Sequence, residues 1–91
     1  MTSQTVTIVN ALGMHARAAA KFVHAAGEFS ARIRVARGGR QVDGKSILGL
    51  LLLAASQGST IVISADGPDE ELAVAALCRL VVESFGEPTC V

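Results

Sequence analysis

Ala31-Arg-Ile-Arg-Val-Ala-Arg37-Gly38-Gly39-Arg40-Gln-Val-Asp43 is the stretch that decides the fold. Residues 31–37 alternate. Ala31, Ile33 and Val35 share one face, and Arg32 and Arg34 point the other way. That period of two marks a strand with one buried side. Gly38-Gly39 is a two-residue hairpin signal, and Arg40 to Asp43 reads as the short return strand. A hairpin inside a chain that otherwise mixes helices and strands implies an α+β layer, with helices on one face of an antiparallel sheet.

Upstream, Thr5-Val-Thr-Ile-Val9 alternates and reads as a strand. Asn10 to Gly13 reads as a loop. From Ala16 to about Ala26 the chain is Ala-rich and helical, with Gly27 as a stop. Ala19, Phe22, Val23 and Ala26 form its apolar stripe, and Lys21, His24 and Glu28 lie off it. Downstream, Ser46 to about Ala54 is a short apolar helix between Gly44 and Ser56-Gln57-Gly58, and helical spacing puts Ile47, Leu48 and Leu51 on one side of it and Leu50 and Leu53 on the other. Thr60 to Ala65 is β-branched and suits a central strand. Asp66-Gly-Pro-Asp69 is a turn. Glu70 and Glu71 then open a helix, where negative charge suits the dipole. Its inward stripe runs through Val74, Leu77, Val81 and Phe85, with Leu80 beside it, and Gly86 and Pro88 end it. The predicted order is βαββαβα.

A chain of 91 residues predicts a single domain over residues 1–91. Hydrophobic residues make up 51 %, but the only aromatics are three Phe, so Ala, Val, Leu and Ile must fill the core. Net charge is zero, which argues against bulk attraction to nucleic acid or an anionic membrane. The charge is nevertheless segregated. Seven of eight basic residues lie at or before Lys45, and six of eight acidic residues lie after it. This predicts a basic face suited to an acidic partner. MTSQTVTIVN lacks the features of a signal peptide, and no apolar run reaches the ~18 residues of a membrane span. Cys78 and Cys90 lack metal-like spacing. A cytoplasmic protein with reduced thiols is expected, with Cys78 buried as a small hydrophobe.

The chemistry is concentrated in Leu12-Gly-Met-His15-Ala-Arg17. His15 falls where loop becomes helix. The first N–H groups of a helix lack internal partners and attract an anion. Imidazole offers a nucleophilic nitrogen near neutral pH. Arg17 can add charge-assisted hydrogen bonds to a phosphoryl oxygen, and Gly13 permits an unusual dihedral or a close approach. On these residues alone, a His15 that merely caps a helix beside a solvated Arg17 stays open. So does a Ser46 that serves only as an N-cap.

The segment resembles the active-site motif of the histidine-containing phosphocarrier protein (HPr) family of the bacterial phosphoenolpyruvate-dependent phosphotransferase system. Gly44-Lys-Ser46-Ile-Leu-Gly is similar to that family's regulatory serine segment, and Gln57-Gly-Ser before the last strand matches too. The resemblance covers nearly the whole chain. It implies an open-faced β-sandwich and no cofactor or metal. It implies a monomer whose His15 accepts a phosphoryl group on Nδ1 from enzyme I, with Arg17 steadying it. The group then passes to an enzyme IIA-type acceptor, in sugar uptake or in a regulatory phosphorelay. It further implies that an HPr kinase/phosphorylase acts on Ser46, and that partners dock through Ile47, Leu48 and Leu51, with Ala20 nearby. One departure is Ala18, where the commonest family pattern has Pro. Ala restores an N–H that Pro lacks. The Leu-Gly-Met-His form with Ala18 resembles proteobacterial members of regulatory chains.

Rival readings fit less well. Gly39-Arg-Gln-Val-Asp-Gly44-Lys45-Ser46 satisfies the P-loop pattern, but Gln41-Val42 reads as a hairpin arm rather than a buried parallel strand. Arg32, Arg34, Arg37 and Arg40 could line a nucleic-acid surface, but no Tyr or Trp is present for base stacking. His15 and His24 have no third ligand at metal-site spacing.

Overall fold

The hairpin forms as its alternation requires. In the computed structural model, which describes residues 1–86, Arg37 pairs with Arg40, Val35 with Val42 and Arg34 with Asp43. Gly38 takes φ 61° at the first of the two turn positions, the requirement of a type II′ connection that matches the twist of its strands.

The elements are β1 (Thr2–Thr7), α1 (Ala16–Ala26), β2 (Arg32–Arg37), β3 (Arg40–Asp43), α2 (Ile47–Leu53), β4 (Thr60–Asp66) and α3 (Glu70–Val82), followed by a 3-10 turn (Ser84–Gly86). The sheet has four strands in the order β1-β4-β2-β3, antiparallel throughout. The order βαββαβα is as the sequence predicts. β4 lies inside the sheet, between β1 and β2, and its Ile61, Ile63 and Ala65 are buried. Ile33, Val35, Val6 and Ile8 extend the same apolar face, and the three helices cover it. The other face stays open and polar, with Ser3, Thr5, Arg32, Arg34 and Ser64 on it.

Three expectations need correction. β1 begins at Thr2, not Thr5, because the polar residues Ser3 and Gln4 pair with β4 as well as the apolar ones do. Its end is earlier too, although Ile8 still exchanges backbone bonds with Gly58 and Ser59. On α1, Ala18 is fully buried and Val23 only half-buried, so the stripe is rotated toward Ala18. α3 stops at Val82 rather than running through Phe85 to Gly86. Ser84, Phe85 and Gly86 take φ of 59°, 56° and 76°, a left-handed turn that swings Phe85 into the core, where it is 1 % exposed. Each non-glycine residue in that conformation costs roughly 1–2 kcal/mol. Burying a Phe side chain returns roughly 1.5–3 kcal/mol, and the Lys21 ammonium ties the turn by donating to the Phe85 carbonyl at 2.8 Å. Pro88 and Cys90 lie outside the described residues. Cys78 is buried on α3, and burial pushes its thiol pKa up.

Two carboxylates fasten the turn between β4 and α3. Asp69 accepts the backbone N–H groups of Ser30 and Ala31, both at 2.9 Å. The Ser30 bond is the main cause that holds its pKa below the usual carboxylate value. Glu70 accepts from the Thr2 hydroxyl at 2.7 Å, from the terminal ammonium at 2.9 Å and from the Gly67 N–H at 3.1 Å. These contacts, the Thr2 bond foremost, bring its pKa down to about 2.

Candidate functional site

The loop that carries His15 is built on Gly13. Gly13 has φ 64°, and a Cβ there would stand 2.6 Å from the Ala55 carbonyl oxygen and 2.8 Å from Ser56 Cα. Only glycine satisfies both the dihedral and the contact. Asn10, 1 % exposed, closes the loop: its Nδ2 donates to the Gly13 carbonyl at 2.8 Å, and its own carbonyl accepts the Gly13 N–H at 3.1 Å. Met14 is buried, and its N–H donates to the Ala55 carbonyl at 2.8 Å. The loop before α1 is therefore fixed to the residues just after α2.

His15 follows as the N-cap of α1, extended at φ −81° and ψ 179° and half-buried. Its carbonyl accepts the Ala19 N–H at 2.8 Å, the first intrahelical bond. The amides of Ala16, Arg17 and Ala18 precede that bond, and the His15 side chain does not cap them. No acidic residue occupies the first turn, so the positive helix end is left for an anion beside the imidazole. Arg17 is exposed in this same turn, and Ala20 is exposed one turn on. Ala18 puts its methyl in the core, fully buried.

α2 supplies the neighbouring surface. Ser46 is its N-cap, with Oγ accepting the Gly49 N–H at 3.0 Å. Leu50 and Leu53 face the core, while Ile47, Leu48 and Leu51 are exposed. This is the division expected from helical spacing. Leu52 on α2 and Leu12 in the His15 loop, 57 % and 70 % exposed, are further exposed apolar residues and were not anticipated. For Leu52 the signal was available, since it lies four residues after Leu48 on one helix face. Ser46 is not beside His15. It caps the far end of the seven-residue α2, about 10 Å of helix from the end that holds the His15 loop.

The rival P-loop is absent. Gly39 sits in the hairpin turn and residues 40–43 are β3. Lys45 is committed, with Nζ donating to the Phe29 carbonyl at 2.7 Å. Among the described residues, no helix is long and apolar enough to cross a membrane.

A family model described as "PTS HPr component phosphorylation site" matches residues 2–83. The chain belongs to the HPr family of phosphocarrier proteins. It is 49 % identical over 87 residues to the phosphocarrier protein HPr of Cupriavidus necator, covering 96 % of this chain and 98 % of that one. It is also 44 % identical over 82 residues to the phosphocarrier protein NPr of Shewanella violacea, covering 90 % of each. The crystal structure of HPr-C-His from Thermoanaerobacter tengcongensis superposes with a TM-score of 0.93 at 44 % identity, over 97 % of this chain and 99 % of that one. The open-faced sandwich is thus the HPr fold, and the loop from Asn10 to His15 lies within the matched region.

Proposed function

We propose that this HPr-family chain is a cytoplasmic, monomeric, single-domain carrier in which His15 takes a phosphoryl group from phosphorylated enzyme I. The N–P bond on enzyme I breaks as a new one forms to Nδ1 of His15. The group then passes to an enzyme IIA-type acceptor, in sugar uptake or a regulatory phosphorelay. The observation that carries this reading is the placement of a half-buried imidazole as N-cap of an 11-residue helix with no acid in its first turn. Oriented backbone N–H groups and the Arg17 guanidinium would receive the phosphoryl oxygens without reorganising. Catalysis of such transfers is largely positioning and charge stabilisation, and a rigid loop set by Gly13 and Asn10 suits it. No cofactor or metal has a role in this scheme.

Ile47, Leu48 and Leu51, with Ala20, form the docking surface in this reading. An exposed apolar patch of this kind marks a partner contact. Ser46 phosphorylation by an HPr kinase/phosphorylase would place about −2 charge at the N-terminus of α2. The helix tolerates that charge, whereas an acidic partner docking on α2 does not. Ser46 thereby regulates docking rather than the chemistry at His15.

The test is incubation with enzyme I and labelled phosphoenolpyruvate. The expected result is one acid-labile phosphate per chain, absent in His15→Ala. Failure of the wild type to be labelled by an active enzyme I, or undiminished labelling of His15→Ala, refutes the assignment.

A further inference from the structure

The tip of the β2–β3 hairpin reaches the end of α2 and carries two arginines whose use the carrier reading leaves unexplained. Arg40 Nη1 donates to the Leu52 carbonyl at 2.6 Å, and Arg37 Nη1 reaches the Leu53 carbonyl at 3.4 Å. α2 has no basic residue in its own last turn and ends on Ala54 at φ 55°. The hairpin thus brings positive charge to the negative end of α2 from elsewhere in the fold. Around these groups lies a surface cleft of about 470 Å³, lined by Arg37, Gly39, Arg40, Leu53 and Ala54. No carboxylate lines it. Each guanidinium has five N–H donors in a fixed fork, so the one bond each makes to a helix carbonyl leaves most donors of these exposed side chains unused by α2.

The position of the cleft gives it meaning. Ala54 lines it, and the next residue, Ala55, holds Met14 and abuts Gly13. The end of α2 is therefore clasped by the His15 loop on one side and by the arginine hairpin on the other. Leu51 and Leu52, both exposed, lie on α2 just before that end. Basic cleft, exposed Leu51 and Leu52, and the anchor of the His15 loop thus all fall at the C-terminal end of α2.

We propose that Arg37 and Arg40 extend the docking surface, and that the cleft takes an acidic side chain of enzyme I while its apolar neighbour covers Leu52. This rests on the carrier reading above and names a further contact for it. Arg pairs carboxylates bidentately and tolerates partial burial better than Lys. Charge complementarity of this kind acts chiefly on encounter and on specificity.

The test is steady-state transfer from enzyme I to the carrier, with KM and kcat measured at low salt and at about 1 M salt, where the Debye length is about 3 Å. The double variant Arg37→Gln/Arg40→Gln is expected to raise KM about fivefold to tenfold at low salt, with kcat changed less than about twofold. The difference should vanish at high salt. Arg37→Lys/Arg40→Lys, which keeps the charge but not the fork, should recover part of the loss, the part carried by charge alone. Arg32→Gln, on the open sheet face, should leave KM unchanged. The proposal is overturned by an unchanged KM in the double Gln variant, or by an equal rise in Arg32→Gln, which would mean a general field effect. A rise that is insensitive to salt and not rescued by Lys also overturns it, since the arginines would then only brace α2. Wild-type carrier that is never labelled would instead refute the carrier reading itself.

Discussion

Replacing Gly13 by Ala tests whether the His15 loop is held as described. Two separate terms act at this position. The backbone sits at φ 64°, where an L-residue pays roughly 1–2 kcal/mol. The new Cβ would also stand 2.6 Å from the Ala55 carbonyl oxygen and 2.8 Å from Ser56 Cα. Both neighbours are backbone, so no side chain can rotate away, and such overpacking costs about 1–3 kcal/mol. The sum is about 2–5 kcal/mol, against a total stability of about 5–15 kcal/mol for a small domain. Gly38 provides the control. Its φ is 61°, but a Cβ there would meet nothing within 4 Å, so Gly38→Ala should cost only the first term, about 1–2 kcal/mol. Urea unfolding followed by circular dichroism gives both values from the midpoints and slopes. Phosphoryl transfer from enzyme I should fall sharply in Gly13→Ala and stay near wild type in Gly38→Ala, because only the first displaces His15 from α2. Equal destabilisation of the two variants would refute the claim that contact with Ala55 fixes the loop.

Further outcomes are expected for Ser46, for the two sides of α2 and for Glu70. Ser46→Ala loses the bond to the Gly49 N–H and should destabilise by about 1 kcal/mol in urea. Ser46→Asp keeps a capping oxygen and should slow transfer to His15 by adding charge near the docking face; equal transfer rates for it and the wild type would contradict the regulatory role. Leu50→Ala empties a buried position and should cost about 2–5 kcal/mol. Leu48→Ala, at 67 % exposure, should stay within about 0.5 kcal/mol of wild type yet raise the KM for transfer, and a KM like wild type would remove Leu48 from the docking surface. In acid, Asp69 and Glu70 both ionise more readily folded than unfolded. The folded state therefore binds fewer protons, and stability falls as pH drops. For Glu70 the loss should run from its ordinary 4.5 down to about 2. In Glu70→Gln, thermal unfolding across that window should show a shallower pH dependence, and a slope equal to wild type would show that Glu70 is not held as described.

Much of this molecule was legible in its residues, because the deciding signals are local. The alternation at Ile33 and Val35, the Gly38-Gly39 turn and the β-branched run at Ile61–Ile63 each depend on neighbours in the chain, and they predicted the hairpin and the inner strand correctly. The division of α2 into a buried Leu50–Leu53 side and an exposed Ile47–Leu48–Leu51 side followed from helical spacing, because a short helix on a sheet can bury only one side. The end of α3 was misread for a related reason. Phe85 continues the apolar period four residues after Val81, so periodicity alone extends the helix. The left-handed turn at Ser84–Gly86 buries the same ring by a different backbone route.

By itself, the sequence determined the order of the elements, the buried faces of the hairpin, of β4 and of α2, and a histidine at the start of a helix. It could not determine what holds that histidine in place. Gly13 is needed because Ala55, 42 residues away in the chain, approaches its α-carbon. Arg37 and Arg40 bear on α2 because the hairpin folds back across it. Asp69 fastens Ser30 and Ala31 from a turn 38 residues later. Contacts of this separation leave no periodic trace in the chain, since each depends on how the helices settle on the sheet. Only the packed structure decides them, and they set the surface that surrounds His15.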